Sequence, residues 1–457
     1  MTRKILLRLS EPRDMASLAV FRMIIGSIVA VSLIRFQLEG WIGPVFVEPE
    51  FFFKYPGFEW ISVGSKTTLH FLFSFGAICA LLVAVGLFYR IAVALLFVSF
   101  TYIQLMDVTN YLNHYYLVVL LLGLMNFMPL HRYWSVDAWR RPQMSCTEGP
   151  AWILYLLRFQ IAVVYINAGL AKIEPDWLLH AQPMNIWMTG QTHLPIVGPL
   201  MNDLWVAYVM SWAGCFYDLS IVGFLMFRRT RPFAYVTVIV FHLLTLVFFD
   251  IGMFPFIMIG STTLFFERNW PRRFIRSARR LDTKNAQALP RLSPALALVL
   301  GLYCGLQVLV PLRSHLSGQN VLWAEQGMRY SWRVMLREKN GSITYHVRSK
   351  NTGRVWLVSP HDYLTWRQVS EMSGQPDMIL QLARYVAGDF QNKGLGPVEV
   401  RVEAWVSLNG RKPALMIDPQ VDLLTVKEEL TNASWILPHP KEPPARLQPT
   451  SLGVSSP

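Results

Sequence analysis

LRFQIAVVYINAGLAKIEPDW, from Leu157 to Trp177, is apolar over most of its length and carries few polar groups. Read as a helix from about Trp152, it is long enough to cross a bilayer. Arg158, Tyr165 and Lys172 recur every seventh residue, and at about 3.6 residues per turn they share one narrow face. Gly169 lies on that face too, where a missing side chain lets something approach closely. Lys172 closes the apolar run just ahead of Pro175, which ends the helix. Two readings of this lysine stand. It can snorkel to the membrane interface, or face inward, where a buried ammonium is costly and a lysine can serve as an amine base.

Outward from this stretch, the composition sets the class. Of 457 residues, 53% are hydrophobic and only 16% charged. The chain therefore reads as a polytopic membrane protein with room for one soluble domain. A net charge of +13 suggests nucleic acid as a partner, but the arginines gather at the ends of apolar runs, so topology accounts for them and no nucleic-acid partner is expected. Arg3, Lys4, Arg8 and Arg13 precede an apolar run of spanning length, which reads as an uncleaved first span. Cys79, Cys146, Cys215 and Cys304 are scattered without zinc spacing, and no metal is expected.

Nine apolar runs follow one another, at about 15–35, 69–89, 91–108, 112–130, 151–171, 203–227, 233–249, 251–266 and 294–312. The eighth is short and holds Pro255 and Gly260, so a broken helix is expected there. With a cytoplasmic N-terminus, every second connection is cytoplasmic. Those connections carry Arg90, then Arg132, Arg140 and Arg141, then Arg228, Arg229 and Arg231, then the run from Arg268 to Arg291. The opposite connections hold Lys54, Lys66 and Lys172, with Arg35 at the edge of the first span. This asymmetry predicts an odd number of spans and an extracytoplasmic C-terminal domain. The aromatic stretch between Glu39 and Thr67 reads as an interfacial belt, with the mouth of a lipid-quinone pocket as the second reading.

The predicted fold is thus a polytopic α-helical bundle of about nine spans followed by a small extracytoplasmic α+β domain. The divisions fall at 1–312 for the transmembrane domain that carries the active site, 313–437 for the α+β domain, and 438–457 for a Pro- and Ser-rich tail expected to be disordered. In the α+β part, Tyr330–Leu336, Ser342–Val347, Val355–Val358 and Val398–Leu408 read as strands. Turns are expected at Asn340-Gly341 and at Asn351 to Gly353, and a helix from Asp377 through Gln391.

Topology also selects chemistry. Asn113 and His114 start the fourth span on its outer side, Lys172 ends the fifth on that side, and His242 lies within the seventh. Polar groups from three helices are thereby placed in the outer half of the membrane, where ionisable residues mark function. Arg158 and Asp218 fall in the inner half, on the fifth and sixth spans, and are expected to form a structural ion pair. Tyr165 is either core packing or pocket lining.

The stretch around Lys172 resembles the segment of vitamin K-dependent γ-glutamyl carboxylases that carries their catalytic lysine. The likeness extends through TNYLNHYYL (Thr109–Leu117), HRYWSVD (His131–Asp137), YDLS (Tyr217–Ser220), FHLL with DIGMF (Phe241–Phe254), RYSW (Arg329–Trp332) and AWVSLNGR with IDPQVDLL (Ala404–Leu424). The resemblance implies an integral membrane enzyme, with an HTTM-type transmembrane domain, that oxygenates reduced vitamin K to its epoxide. The strong base formed on the way removes a γ-proton from a glutamyl side chain, and CO2 traps the carbanion. Reduced vitamin K, O2 and CO2 are then the small-molecule reactants. The partners are the lipid bilayer, a lipid quinone and a Glu-containing protein or peptide. By the same resemblance Lys172 is the initiating base, Asn113 and His114 stabilise the oxyanion, and His242 matches a further pocket histidine. Tyr165 and Met335 are assigned with His242 to cofactor binding, and Tyr330, Ser331 and Trp332 to the glutamate.

The chain also departs from that family. Ala171-Lys172 stands where animal members often have two lysines, Leu112 replaces the first asparagine of an aromatic-Asn-Asn-His run, and the animal disulfide cysteines are missing. These features suggest a short bacterial homologue in an inner membrane rather than an endoplasmic-reticulum protein. The alternatives are a hydroquinone epoxidase without protein carboxylation and a non-catalytic lipid-binding or transport protein. The sequence shows no inverted repeat of the kind transporters carry.

Overall fold

All nine apolar runs are helical in the computed structural model, which describes residues 2–249, 251–274, 292–316, 318–427 and 433–445. They are α1 (Ala16–Leu38), α2 (Lys66–Val85), α3 (Tyr89–Leu105), α4 (Asn113–Phe127), α5 (Trp152–Ala171), α6 (Leu204–Met226), α7 (Arg231–Phe248), α8 (Phe254–Thr262) and α9 (Pro294–Leu312). Six of them are long and apolar enough to cross a membrane, and α3, α4 and α8 are the shorter ones. Helix α8 starts on Pro255 in its first turn and tightens into a 3-10 turn over Thr263–Phe265, in keeping with its short, interrupted run. Large apolar side chains point outward from these helices. Leu298, Leu302 and Leu309 on α9 are exposed, and so are Phe233, Val236 and Val240 on α7. A surface this apolar is the kind a bilayer covers.

The chain divides into two compact units that do not follow sequence order. One comprises Met1–Glu48, Lys54–Ile166 and Ser220–Leu309, and the other Pro49–Phe53, Asn167–Leu219 and Val310–Pro457.

In the first unit α1 packs on α2 and α8, α2 on α3, α3 on α4, and α7 on α8. Gly26 makes the α1–α2 crossing possible, because a Cβ there would lie 2.6 Å from the Ala84 nitrogen. Small residues at such crossings let backbones meet. Arg22, fully buried on α1, donates to the Val83 and Ala84 carbonyls at 2.8 and 2.7 Å and to Trp134 O at 2.6 Å. The cation is thereby supplied with oxygen partners at the C-terminal end of α2, where a helix presents unsatisfied carbonyls. A two-stranded ribbon pairs β1 (Pro12–Asp14) with β2 (Glu148–Pro150).

The second unit carries a four-stranded antiparallel sheet. Strands β3 (Lys339–Ser349), β4 (Val355–Val358), β5 (Val398–Leu408) and β6 (Ala414–Leu415) lie in the order β4-β3-β5-β6. One face of the central pair is apolar, with Tyr345, Val347, Val400, Val402 and Ala404 fully buried. It is covered by α10 (Pro376–Asn392), whose Ile379 carbonyl accepts from the Tyr345 hydroxyl at 2.9 Å. The expected strands at 342–347, 355–358 and 398–408 fall within β3, β4 and β5.

Three sequence expectations are corrected. Tyr330–Leu336 is not a strand: Tyr330, Trp332 and Met335 adopt φ of 64°, 58° and 53°, so the alternating pattern belongs to an irregular, tightly turned segment. Asn340-Gly341 is no turn but lies inside β3, where Gly341 admits the Ser373 carbonyl, whose oxygen would be 2.5 Å from a Cβ. The tail expected to be disordered from 438 is docked as far as Ala445. Its His439 ring meets Trp323, and Glu442 O accepts from Arg411. Residues 446–457 lie outside the described part.

Candidate active site

The histidines belong to the first unit. His114, in the first turn of α4, and His242, on α7, are both buried. The two rings flank Phe254, His114 at a centroid distance of 6.0 Å and His242 at 5.5 Å with its ring nearly perpendicular. The Tyr165 hydroxyl stands 3.1 Å from His242 Nε2. Gly252 lies beside His114, where a Cβ would stand 3.9 Å from Nε2, and its φ of 58° is one that glycine adopts most readily. The DIGMF stretch therefore supplies both the ring between the histidines and the small residue next to one of them. Asn113 is half-buried at the start of α4, and its Oδ1 accepts from the Tyr111 hydroxyl at 3.1 Å.

Lys172 belongs to the second unit and is buried there with Asp218, each 6% exposed. Its Nζ lies 2.8 Å from Asp218 Oδ2, 3.4 Å from the Ala168 carbonyl and 5.3 Å from the centre of the Trp177 ring. The cause is local. Gly169 admits α6 so closely that a Cβ would sit 2.7 Å from Leu219 Cγ and 2.9 Å from its backbone nitrogen. The close approach read from the sequence at Gly169 is thus made by a neighbouring helix, and it carries Asp218 to the lysine.

The expected Arg158–Asp218 pair is accordingly corrected. Asp218 is taken by Lys172, and Arg158 donates instead to the Leu264 and Phe266 carbonyls at 2.8 and 3.2 Å. The 3-10 turn that ends α8 exposes those carbonyls, and an arginine fork satisfies two of them without a carboxylate.

Tyr330, Ser331, Trp332 and Met335 share the irregular segment of the second unit. Trp332 is fully buried, the Ser331 hydroxyl donates to Met328 O, and the Arg313 guanidinium lies 5.5 Å from the centre of the Tyr330 ring. Arg329 binds the Asp377 carboxylate at 2.5 Å. Three non-glycine residues in the left-handed region within six positions is backbone strain of the kind that concentrates at functional sites.

Sequence reasoning missed the buried cluster of Asp176, Asn409 and Arg411. Arg411 meets Asp176 with two hydrogen bonds of 2.6 and 2.7 Å, and Asn409 Nδ2 adds a third at 3.0 Å. The partners are more than 230 positions apart, and only the proximity of Asp176 to Lys172 and the NGR match at Asn409–Arg411 hinted at them. Among the described residues no group of three His, Cys, Asp or Glu side chains is placed to hold a metal ion.

Comparison with known proteins places this arrangement in a class. Residues 10–270 match the HTTM domain, a transmembrane family model that covers more than half of the chain. Residues 292–442 match the model described as vitamin K-dependent gamma-carboxylase, lumenal domain. No solved structure matches the chain. The protein is a multi-pass membrane protein of the HTTM class, and with both models in order along one chain it belongs to the vitamin K-dependent γ-glutamyl carboxylase family. That family implies the use of reduced vitamin K.

Proposed function

We propose that this protein is a membrane γ-glutamyl carboxylase that epoxidises reduced vitamin K and carboxylates glutamyl side chains. The observation that carries the reading is the succession of the two family models over nearly the whole chain. The residues of the first unit suit a flat hydroquinone. Aromatic rings alternate with imidazoles that can donate or accept at ring hydroxyls, and Gly252 lies beside His114. When bound, reduced vitamin K supplies the reducing power and the base strength for the carboxylation. In this proposal Lys172 takes a hydroxyl proton at Nζ, and Asn113 and His114 hold the oxygen that becomes negative. His242 and Tyr165 orient the ring, Met335 packs against it, and Tyr330, Ser331 and Trp332 hold the glutamyl side chain. We further assign residues 1–312 to the catalytic transmembrane domain and 313–437 to an extracytoplasmic domain in a bacterial inner membrane.

The test uses purified full-length protein with reduced vitamin K, labelled bicarbonate and a Glu-containing peptide, scoring epoxide and incorporated label separately. Both products are expected. Epoxide without label would reduce the activity to hydroquinone epoxidation, and neither product would remove the enzymatic reading.

Orientation has its own test. The arginines on alternate connections support a cytoplasmic N-terminus and an exterior position for residues beyond Arg313. A single cysteine introduced at Ser342, exposed near the start of β3, is expected to react in whole cells or spheroplasts with a membrane-impermeant maleimide. Reaction only after the cytoplasmic face is opened would reverse the topology.

A further inference from the structure

The pairing of Lys172 with Asp218 raises a chemical problem for a lysine that must act as a base. Both side chains are buried, 2.8 Å apart, in an apolar stretch. If the ammonium gave its proton to bulk water, the Asp218 carboxylate would remain buried and uncompensated, which is strongly unfavourable. Transfer within the pair avoids this, because the ammonium and carboxylate become an amine and a carboxyl with the net charge at zero throughout.

We infer that Asp218 is a positioning residue that takes the Lys172 proton across this hydrogen bond and presents a neutral amine inside the protein. The inference rests on the reading of Lys172 as the base. One N–H bond breaks with its electron pair left on Nζ, one O–H bond forms at Oδ2, and nothing is oxidised or reduced. The surroundings of the lysine are built for the contact. Gly169 lets the α6 backbone close in beside Asp218, and a side chain at Gly214 would come within 4.0 Å of Lys172 Cε. Among the described residues, Asp218 and Cys215, both on α6, are titratable side chains that interact with Lys172. Cys215 Sγ points at the Gly169 carbonyl, 3.8 Å away, which leaves Asp218 as the acceptor in hydrogen-bond contact. A merely structural ion pair would tie α6 to the end of α5 and favour the ammonium form of the lysine over the amine.

The test compares the native protein with Asp218→Asn, which keeps the size and an oxygen acceptor but cannot take the proton. Asp218→Glu restores a carboxyl. In ligand-free protein, reductive methylation of Lys172 by formaldehyde and cyanoborohydride is followed by peptide mass spectrometry. The native rate is expected to vary little between about pH 6 and pH 9, because the neutral amine is set internally, whereas Asp218→Asn should rise roughly tenfold or more across that range. Epoxidation per folded molecule is expected to fall about 10²-fold in Asp218→Asn at about pH 7 and to recover as pH rises, with Asp218→Glu within about tenfold of native. If Asp218→Asn follows the native curves in both measurements, or loses only melting temperature, the inference is overturned. Should Asp218→Asn not fold, a native-like labelling curve in Asp218→Glu supports the inference and an asparagine-like rise overturns it. Failure of the base reading is separate: an active Lys172→Arg protein would refute the base, while the labelling curves would still report whether Asp218 takes the proton.

Discussion

Lys172→Ala is expected to lower epoxide formation by roughly two to four orders of magnitude, the usual cost of removing a general base whose proton transfer starts a reaction. The pairing with Asp218 dictates the controls. Truncation leaves a buried carboxylate without its partner, so the alanine protein should also melt at a lower temperature, and rates must be compared per folded molecule. A small exogenous amine can refill the space, restore the partner of Asp218 and recover part of the turnover. Lys172→Arg is the sharper variant. It keeps a cation for Asp218 and so should hold the melting temperature, yet guanidinium stays protonated at any accessible pH and should give no epoxide. A snorkelling lysine predicts the opposite, since arginine serves an interface as well as lysine does. Near-native epoxidation by Lys172→Arg would therefore refute the assignment.

Periodicity and length were enough to find the helices. Each of the nine apolar runs is a helix, and six are long and apolar enough to cross a membrane, where a backbone in lipid has few other choices. The strands at Ser342–Val347, Val355–Val358 and Val398–Leu408 were legible for a related reason: one face is buried against α10, and the period-two pattern records it. Tyr330–Leu336 shows the same alternation without such a cause. Its tyrosine, tryptophan and methionine sit at positive φ, a conformation that hydrophobic pattern does not encode and that L side chains rarely adopt. Charge pairing was the least legible part. Arg158 and Asp218 have similar inferred depth, but depth says nothing of azimuth. The small residue that decides the partner is Gly169, which lets α6 bring Asp218 to Lys172 while the carbonyls at the end of α8 satisfy Arg158. For the histidines, the place of His114 at a helix start and of His242 within the seventh run was readable, whereas the Phe254 ring between them follows from the packing of α7 on α8.

Asp176→Ala is expected to be the most destabilising single change away from the proposed chemistry, at about 3–5 kcal/mol, because it strands a buried arginine. Arg411 spends two guanidinium nitrogens on Asp176 and its Nε on the Glu442 carbonyl, and Asn409 reaches the same carboxylate. The cluster joins the short helix Pro175–Leu179 to the turn after β5 and to the docked segment at Glu442. Replacing both charges by apolar groups of similar size, Asp176→Leu with Arg411→Met, should recover much of the loss, since neither charge is then left alone. Strictly additive losses in the double variant would mean that the pair is not coupled. The pH dependence has a defined sign. Burial alone would raise the Asp176 carboxyl, but the hydrogen bonds from Arg411 and Asn409 outweigh it and hold the group below its ordinary value of 3.8. A carboxylate depressed in the folded state takes up protons less readily than in the unfolded chain. Its contribution is therefore fully present above that ordinary value and is lost as the pH falls through the lower, folded one. Thermal melts in detergent should show the native protein losing stability below about pH 4 faster than Asp176→Leu/Arg411→Met does. Parallel curves for the two proteins over that range would show that the Asp176 carboxylate contributes nothing to acid sensitivity.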